Sequence, residues 1–184
     1  MQILQNIEKC PDCGEPGQKI KNDTALSAVK KDLRDKIGNK DFSLCRNPYC
    51  ETGYFNNDIN TKIHKDDFRR PIWFKEGADP VIICYCKNIK EEDIIETVVK
   101  TGLEDINQIT YYLKNSLGEN CRINNPTGHC CSGAFRDTIK KGFLKRDELT
   151  GTDDKNLDSV KVDLIDLDKK IADFSKGIKH DCNC

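Results

Sequence analysis

Apolar residues recur along this chain in short bursts, and their spacing shifts from helix-like to strand-like and back. Leu26, Val29, Leu33 and Ile37 follow one another at steps of three and four, which predicts one helical stretch with an apolar face. Asp23 or Thr24 would cap its start and Gly38 would end it. Residues 41–45, 53–55 and 61–64 read as short strands, with Asn56-Asn57-Asp58 as a turn between the last two. Pro71-Ile72-Trp73-Phe74 reads as a buried exit, and Gly77-Ala78-Asp79-Pro80 as a boundary. Val81-Ile82-Ile83 then leads into Cys84. A helix is predicted over 89–99, with Ile94, Ile95, Val98 and Val99 on one side, and Thr101-Gly102 breaks it. Leu103, Ile106, Ile109, Tyr112 and Leu113 predict a second helix. Residues 116–128, rich in Gly, Asn and Pro, predict a loop. A third helix follows Cys131, with Phe135, Ile139 and Phe143 four apart. Residues 145–156 are polar and read as a linker. Beyond it, Leu157, Val160, Leu164, Leu167, Ile171, Phe174 and Ile178 alternate steps of three and four, a narrow seam of about three heptads. Such a helix either pairs with a second copy through 157–178, giving a dimer, or folds back on its own domain.

The pattern divides the chain into a small α/β domain at 1–79, a helical domain at 80–144, a linker at 145–156 and an amphipathic helix with a cysteine-bearing tail at 157–184. The expected fold class is α+β. Hydrophobic residues make up 36% and charged residues 33%, so the core is thin for 184 residues. No apolar run approaches the length of a bilayer span. The N-terminus has no basic stretch followed by an apolar one, which points to a cytoplasmic protein without membrane insertion. A net charge of -1 gives no basic footprint for nucleic acid. There is no Ser/His/Asp-type arrangement, phosphate-binding glycine loop or recognisable pair of acid/base carboxylates, so no conventional enzymatic reaction is assigned.

The eleven cysteines change the picture most. In a reducing compartment thiols ligate metals more readily than they form disulfides. Cys10-Pro11-Asp12-Cys13-Gly14 has the spacing of a zinc knuckle: two thiolates turn toward one ion and the glycine lets the backbone bend around them. Cys45 and Cys50 supply a second pair. Four thiolates close a tetrahedral Zn2+ and leave no open position, which marks a structural site; iron in the same all-thiolate set is the chemical alternative. His64 is a possible extra ligand, but beside four better-placed cysteines it reads as a surface residue.

Cys84-Tyr85-Cys86 is too tight for a zinc knuckle and suits a 2Fe–2S cluster, in which neighbouring thiolates share one iron. Cys121, Cys130 and Cys131 are the candidates for the other iron. Cys84-x-Cys86 followed by Glu-Glu-Asp-Ile-Ile resembles the bacterioferritin-associated ferredoxin-like 2Fe–2S module. The 121–131 stretch Cys-Arg-Ile-Asn-Asn-Pro-Thr-Gly-His-Cys-Cys, the knuckle and Pro71-Ile72-Trp73-Phe74-Lys75 resemble, in the same order, the N-terminal zinc plus 2Fe–2S region of CopZ-type copper chaperones. The resemblance spans about residues 8–144. It implies zinc at Cys10, Cys13, Cys45 and Cys50, and a 2Fe–2S cluster at Cys84, Cys86, Cys121 and Cys131 in a helical domain of that ferredoxin-like kind. Cys131 is preferred to Cys130 because the last ligand then sits at the positive start of a helix. Cys130 is left as a packed thiol or spare ligand, and His129 as a solvent-facing neighbour.

The chain departs from that family after Cys131, where no Cys-x-x-Cys copper site follows. It ends instead in His180-Asp181-Cys182-Asn183-Cys184, where Cys182 and Cys184 are candidate ligands for Cu(I) or another soft ion. The expected function is an iron–sulfur and zinc metallochaperone, with one-electron transfer, even metal-ion reduction, linked to handling copper or another soft metal. The expected partner is a metal-transporting ATPase or a redox protein. The alternatives are a simple 2Fe–2S electron carrier and a non-catalytic assembly module.

Overall fold

The computed structural model describes residues 7–114 and 120–150. The heptad segment, Cys182 and Cys184 lie outside the described residues. Strands and helices are mixed in an α+β arrangement, and the chain divides into two bodies. Among the described residues, the first is formed by 7–82 together with Asn120–His129, the second by 83–114 and 130–150.

The first body is built on an antiparallel meander, β1 (Gly17–Ile20), β2 (Phe42–Cys45), β3 (Thr52–Asn56) and β4 (Thr61–His64), in that spatial order. Every residue of the central strands β2 and β3 is buried, whereas the edge strands are partly exposed. Side chains alternate across a strand, so the sheet has two distinct faces. Phe42, Leu44 and Tyr54 pack with Ile20, Val29 and Ile63 in an apolar core, while Cys45 and Phe55 pack with Cys10 and Cys50 in a separate cluster. The three expected strands are present, each within a residue or two. β1 is an addition: Gly-Gln-Lys-Ile offers a single apolar side chain and no readable alternation.

The single helix expected from Leu26 to Ile37 is broken. α1 (Asn22–Ala28) stops before Val29, which is extended and bridges to Phe68. The Lys30 N–H donates to the Asp67 carbonyl at 3.0 Å, and the Arg69 N–H to the Ala28 carbonyl at 2.9 Å. Backbone groups that a continuous helix needs are thus taken by a segment forty residues away in sequence, and the chain resumes in a 3-10 turn and α2 (Arg34–Ile37). Gly38 ends α2 as expected. α1 starts after Lys21, ahead of both expected caps.

The expected 116–128 loop contains a short helix, α5 (Cys121–Asn124). The sequence pattern placed it in the second domain, whereas its contacts group it with the first body. The Thr24 hydroxyl donates to the Arg122 carbonyl at 2.8 Å, the Gln18 amide to the Thr127 carbonyl at 2.6 Å, and the Tyr54 hydroxyl to the Pro126 carbonyl.

In the second body, β5 (Ile82–Cys84) pairs with β6 (Ile89–Lys90), and three helices follow: α3 (Glu91–Thr101), α4 (Ile106–Lys114) and α6 (Ser132–Thr150). α3 starts two residues later than expected, because Ile89 and Lys90 pair as strand. Its first turn carries three acidic residues, and the Lys90 N–H donates to Asp93. Its buried residues are Ile94, Thr97, Val98 and Thr101, so the face is rotated from the expected Ile94, Ile95, Val98 and Val99. Thr97 and Thr101 tolerate burial because each hydroxyl donates at 2.7 Å to the carbonyl four residues back. α6 buries Phe135 and Ile139 and runs on to Thr150, where the linker was expected to begin at 145. No helix among the described residues is long and apolar enough to cross a membrane.

Candidate metal centre

Two tight turns of the first body bring four thiols together. The first is a hairpin: the Cys10 N–H donates to the Glu15 carbonyl at 2.8 Å, and the Gly14 N–H to the Cys10 carbonyl at 2.9 Å. Gly14 has φ +75°, the left-handed value that favours glycine, which closes the turn around Cys10 and Cys13. The hairpin feeds β1, where Gly17 pairs with Cys45 at the end of β2. That register sets the first cysteine pair beside the second, because Cys50 lies just two residues ahead of β3.

The Sγ atoms of Cys10, Cys13, Cys45 and Cys50 all lie within 4.8 Å of one another. The Cys10–Cys50 separation is 3.9 Å and the Cys13–Cys45 separation 3.5 Å. Sulfurs about 2.3 Å from a tetrahedral zinc stand roughly 3.8 Å apart, so the donor set and its spacing fit that ion. Among the described residues no cysteine is disulfide-bonded.

Cys13, Cys45 and Cys50 are electrostatically unequal. Burial pushes the Cys45 and Cys50 thiols up from their ordinary value, against the pull of the backbone N–H groups of Asn47 and Thr52. Cys13 also feels burial, but the Glu15 N–H and the neighbouring sulfurs outweigh it and hold its thiol low. Cys13 therefore ionises more readily than Cys45 or Cys50. Asp12, inside the knuckle, accepts hydrogen bonds from the Thr52 hydroxyl and, at 2.6 Å, from Lys62.

His64 stands outside this group. Its Nε2 lies 3.1 Å from the Glu51 carboxylate, and its Nδ1 accepts the Asp66 N–H at 3.3 Å, capping the turn that follows β4. Glu51, His64 and Asp66 form an exposed group that could gather round an ion. Lys65, 3.0 Å from the Glu51 carboxylate, already serves it.

In the second body Cys84 ends β5, and Cys86 lies in the turn to β6. The Cys131 thiol, hydrogen-bonded to Cys84, pushes the Cys84 thiol up to about 11; burial adds to this and Cys86 opposes it. The thiols of Cys131 and Cys86 thus both lie beside that of Cys84. Cys131 directly precedes α6, and its carbonyl accepts the Phe135 N–H at 2.9 Å. Cys121 is buried at the start of α5 on the first body. Cys130 is half-buried and His129 exposed.

Sequence reasoning missed Lys75. Its side chain is 4% exposed, and its ammonium donates to the carbonyls of Asn47, Cys50 and Thr52 at 2.8, 2.9 and 2.8 Å. The one available signal was a lysine closing the apolar run Ile72-Trp73-Phe74.

Three comparisons bear on this geometry. Residues 7–69 match a family described as a zinc binding domain. The chain is 33% identical over 152 residues to the copper chaperone CopZ of Archaeoglobus fulgidus, an alignment covering 77% of this chain and 72% of that protein. Its fold is similar to the X-ray structure of the A. fulgidus CopZ N-terminal domain, with a TM-score of 0.57 and 28% identity over 71% of this chain and 96% of that one. The structural match thus runs well past residues 7–69.

Proposed function

The chain belongs to the family of the copper chaperone CopZ, and on that premise we propose that it is a metallochaperone holding one structural zinc and one 2Fe–2S cluster. Zinc is assigned to Cys10, Cys13, Cys45 and Cys50, and the cluster to Cys84, Cys86, Cys121 and Cys131. The observation that carries the reading is the closed set of four sulfurs, mutually within 4.8 Å, inside the stretch that matches a zinc-binding domain.

A site with four thiolates and no open position holds shape and does not turn over substrate. The pairing of Cys84 with both Cys131 and Cys86 supports the second assignment. So does the placing of Cys131 at the start of a 19-residue helix, whose exposed N–H groups favour negative charge. When bound, a 2Fe–2S group supplies one-electron transfer, and the surrounding hydrogen bonds and burial tune its potential. The Cys84 thiol must lose its proton to become a ligand, so cluster binding at this position competes with protons. Cu(I) or another soft ion is the cargo, taken by Cys182 and Cys184. The partner would be a metal-transporting ATPase or a redox protein, met in the cytoplasm.

Metal analysis of anaerobically purified protein tests the reading: one zinc and two irons per chain are expected, with visible absorption and an EPR signal after dithionite. Cys131→Ser is expected to abolish the absorption while Cys130→Ser retains it; the reverse would reassign the ligand. A colourless, EPR-silent protein with full zinc would remove the cluster and leave the zinc. Equal Cu(I) stoichiometry in the intact chain and one truncated after Asn156 would sink the role of the tail.

A further inference from the structure

We propose that Lys75 is a positioning residue of the four-thiol centre, clamping the loop that joins Cys45 to Cys50. The inference rests on the zinc reading above and adds the means by which the wider ligand pair is held. Lysine is almost never fully buried unless its charge is met. Lys75 is buried, and each of its three N–H donors has one backbone carbonyl as acceptor.

The identity of those acceptors makes the case. Asn47 lies near the start of the ligand loop, Cys50 is itself a ligand, and Thr52 opens β3. The backbone N–H groups of Asn47 and Thr52 are also those that hydrogen-bond the sulfurs of Cys45 and Cys50. Each of these two residues therefore gives its N–H to a ligand sulfur and its carbonyl to Lys75. One ammonium fixes both sulfur-directed N–H groups at once.

The first pair needs no such help. Its C-x-x-C-G hairpin is closed by its own backbone, and the Glu15 N–H serves the Cys13 sulfur. The second pair is separated by four residues, including Pro48 and the exposed Tyr49, and it borrows its rigidity from the 72–75 segment. Charge favours the same arrangement. Four thiolates around a dication leave negative charge in excess, and the Cys45 thiol feels the positive charge of Lys75. Groups that orient metal ligands in this way typically contribute tenfold to hundredfold in affinity.

The test uses the full chain loaded with zinc and the variant Lys75→Met, which keeps the length and apolar stem and removes charge and donors. Chelator competition should show zinc affinity falling by roughly ten- to hundredfold. Timed alkylation read by peptide mass spectrometry should show Cys45 and Cys50 reacting before Cys10 and Cys13. Unchanged affinity and protection would overturn the role while leaving the zinc site intact; a wild-type chain that holds no zinc would overturn both. Ile72→Ala, which loosens the same segment without touching the clamp, is expected to expose all four cysteines alike. If it reproduced the selective exposure of Cys45 and Cys50, Lys75 would be only part of the packing. Should Lys75→Met fail to fold, wild-type NMR decides: the Lys75 ammonium protons must exchange slowly, and exchange as fast as that of surface lysines overturns the clamp.

Discussion

The two bodies of this protein solve the problem of a thin core in different ways. The first packs Phe42, Leu44 and Tyr54 of its sheet into an apolar core and sets Cys45 and Phe55 in a separate cluster with Cys10 and Cys50, so part of what β2 and β3 bury lies against the thiols. The second buries Ile94, Val98, Ile109, Phe135 and Ile139 between helices, with its cysteines at the ends of elements, at Cys84 and Cys131. The contrast teaches that the zinc set should be part of the first body's folding energy, whereas the helical body should stand largely on packing.

Removing zinc should separate the two most sharply. A strong chelator, or Cys45→Ser, forfeits a metal whose apparent binding free energy is on the order of 10 kcal/mol in structural sites. Amide protection at Tyr54 and Phe55 should vanish and Trp73, the chain's one tryptophan, should change its emission, while Val98 and Phe135 keep their protection. Loss of protection in both bodies together would break the comparison. The converse experiment is Phe135→Ala. Phe135 is fully buried, and truncating such a residue costs roughly 3–5 kcal/mol. The melting of the helical body should shift while the zinc content stays at one per chain.

Gly142→Ala probes the helical packing more finely. A Cβ at Gly142 would meet the Val98 Cβ at 2.7 Å, closer than real Cβ contacts allow, and overpacking of this kind costs roughly 1–3 kcal/mol. Thermal melts of Gly142→Ala, Val98→Ala and the double variant form a cycle, and the double variant should be more stable than the sum of the single losses implies. Simple additivity would mean that α3 and α6 do not meet at this crossing.

What was legible in the sequence follows the same division. Cys10-x-x-Cys13-Gly is local, and its spacing alone anticipates the hairpin that the structure contains. The helix break at Val29 was not legible, because its cause is pairing with Phe68, far along the chain. β1 was hidden because an edge strand held by register with β2 needs few apolar side chains. The face of α3 was misplaced because Thr97 and Thr101 satisfy their own hydroxyls and enter the core, which hydrophobic periodicity does not register. Lys75 was invisible for a related reason: its partners are backbone carbonyls, and no residue type announces them.

The smallest expected effect concerns Asp12, whose partners belong to the sheet carrying the thiols. Hydrogen bonds from Lys62 and then Thr52 hold its carboxyl below the ordinary carboxylate value, against a slight opposing effect of burial. A carboxylate lowered on folding contributes stability that is fully present above the unfolded value, near 3.9, and is lost as pH falls through the lower folded value. Asp12 and Lys62 are largely exposed, so the contribution is screened and modest. The difference in melting midpoint between wild type and Asp12→Asn should therefore be smaller than that of Gly142→Ala and constant from pH 7 down to about 4, and it should shrink in high salt. A difference that faded between pH 6 and 5 would show that the Asp12 carboxylate is not held by these partners, and that the knuckle draws nothing from β3 and β4 beyond the shared metal.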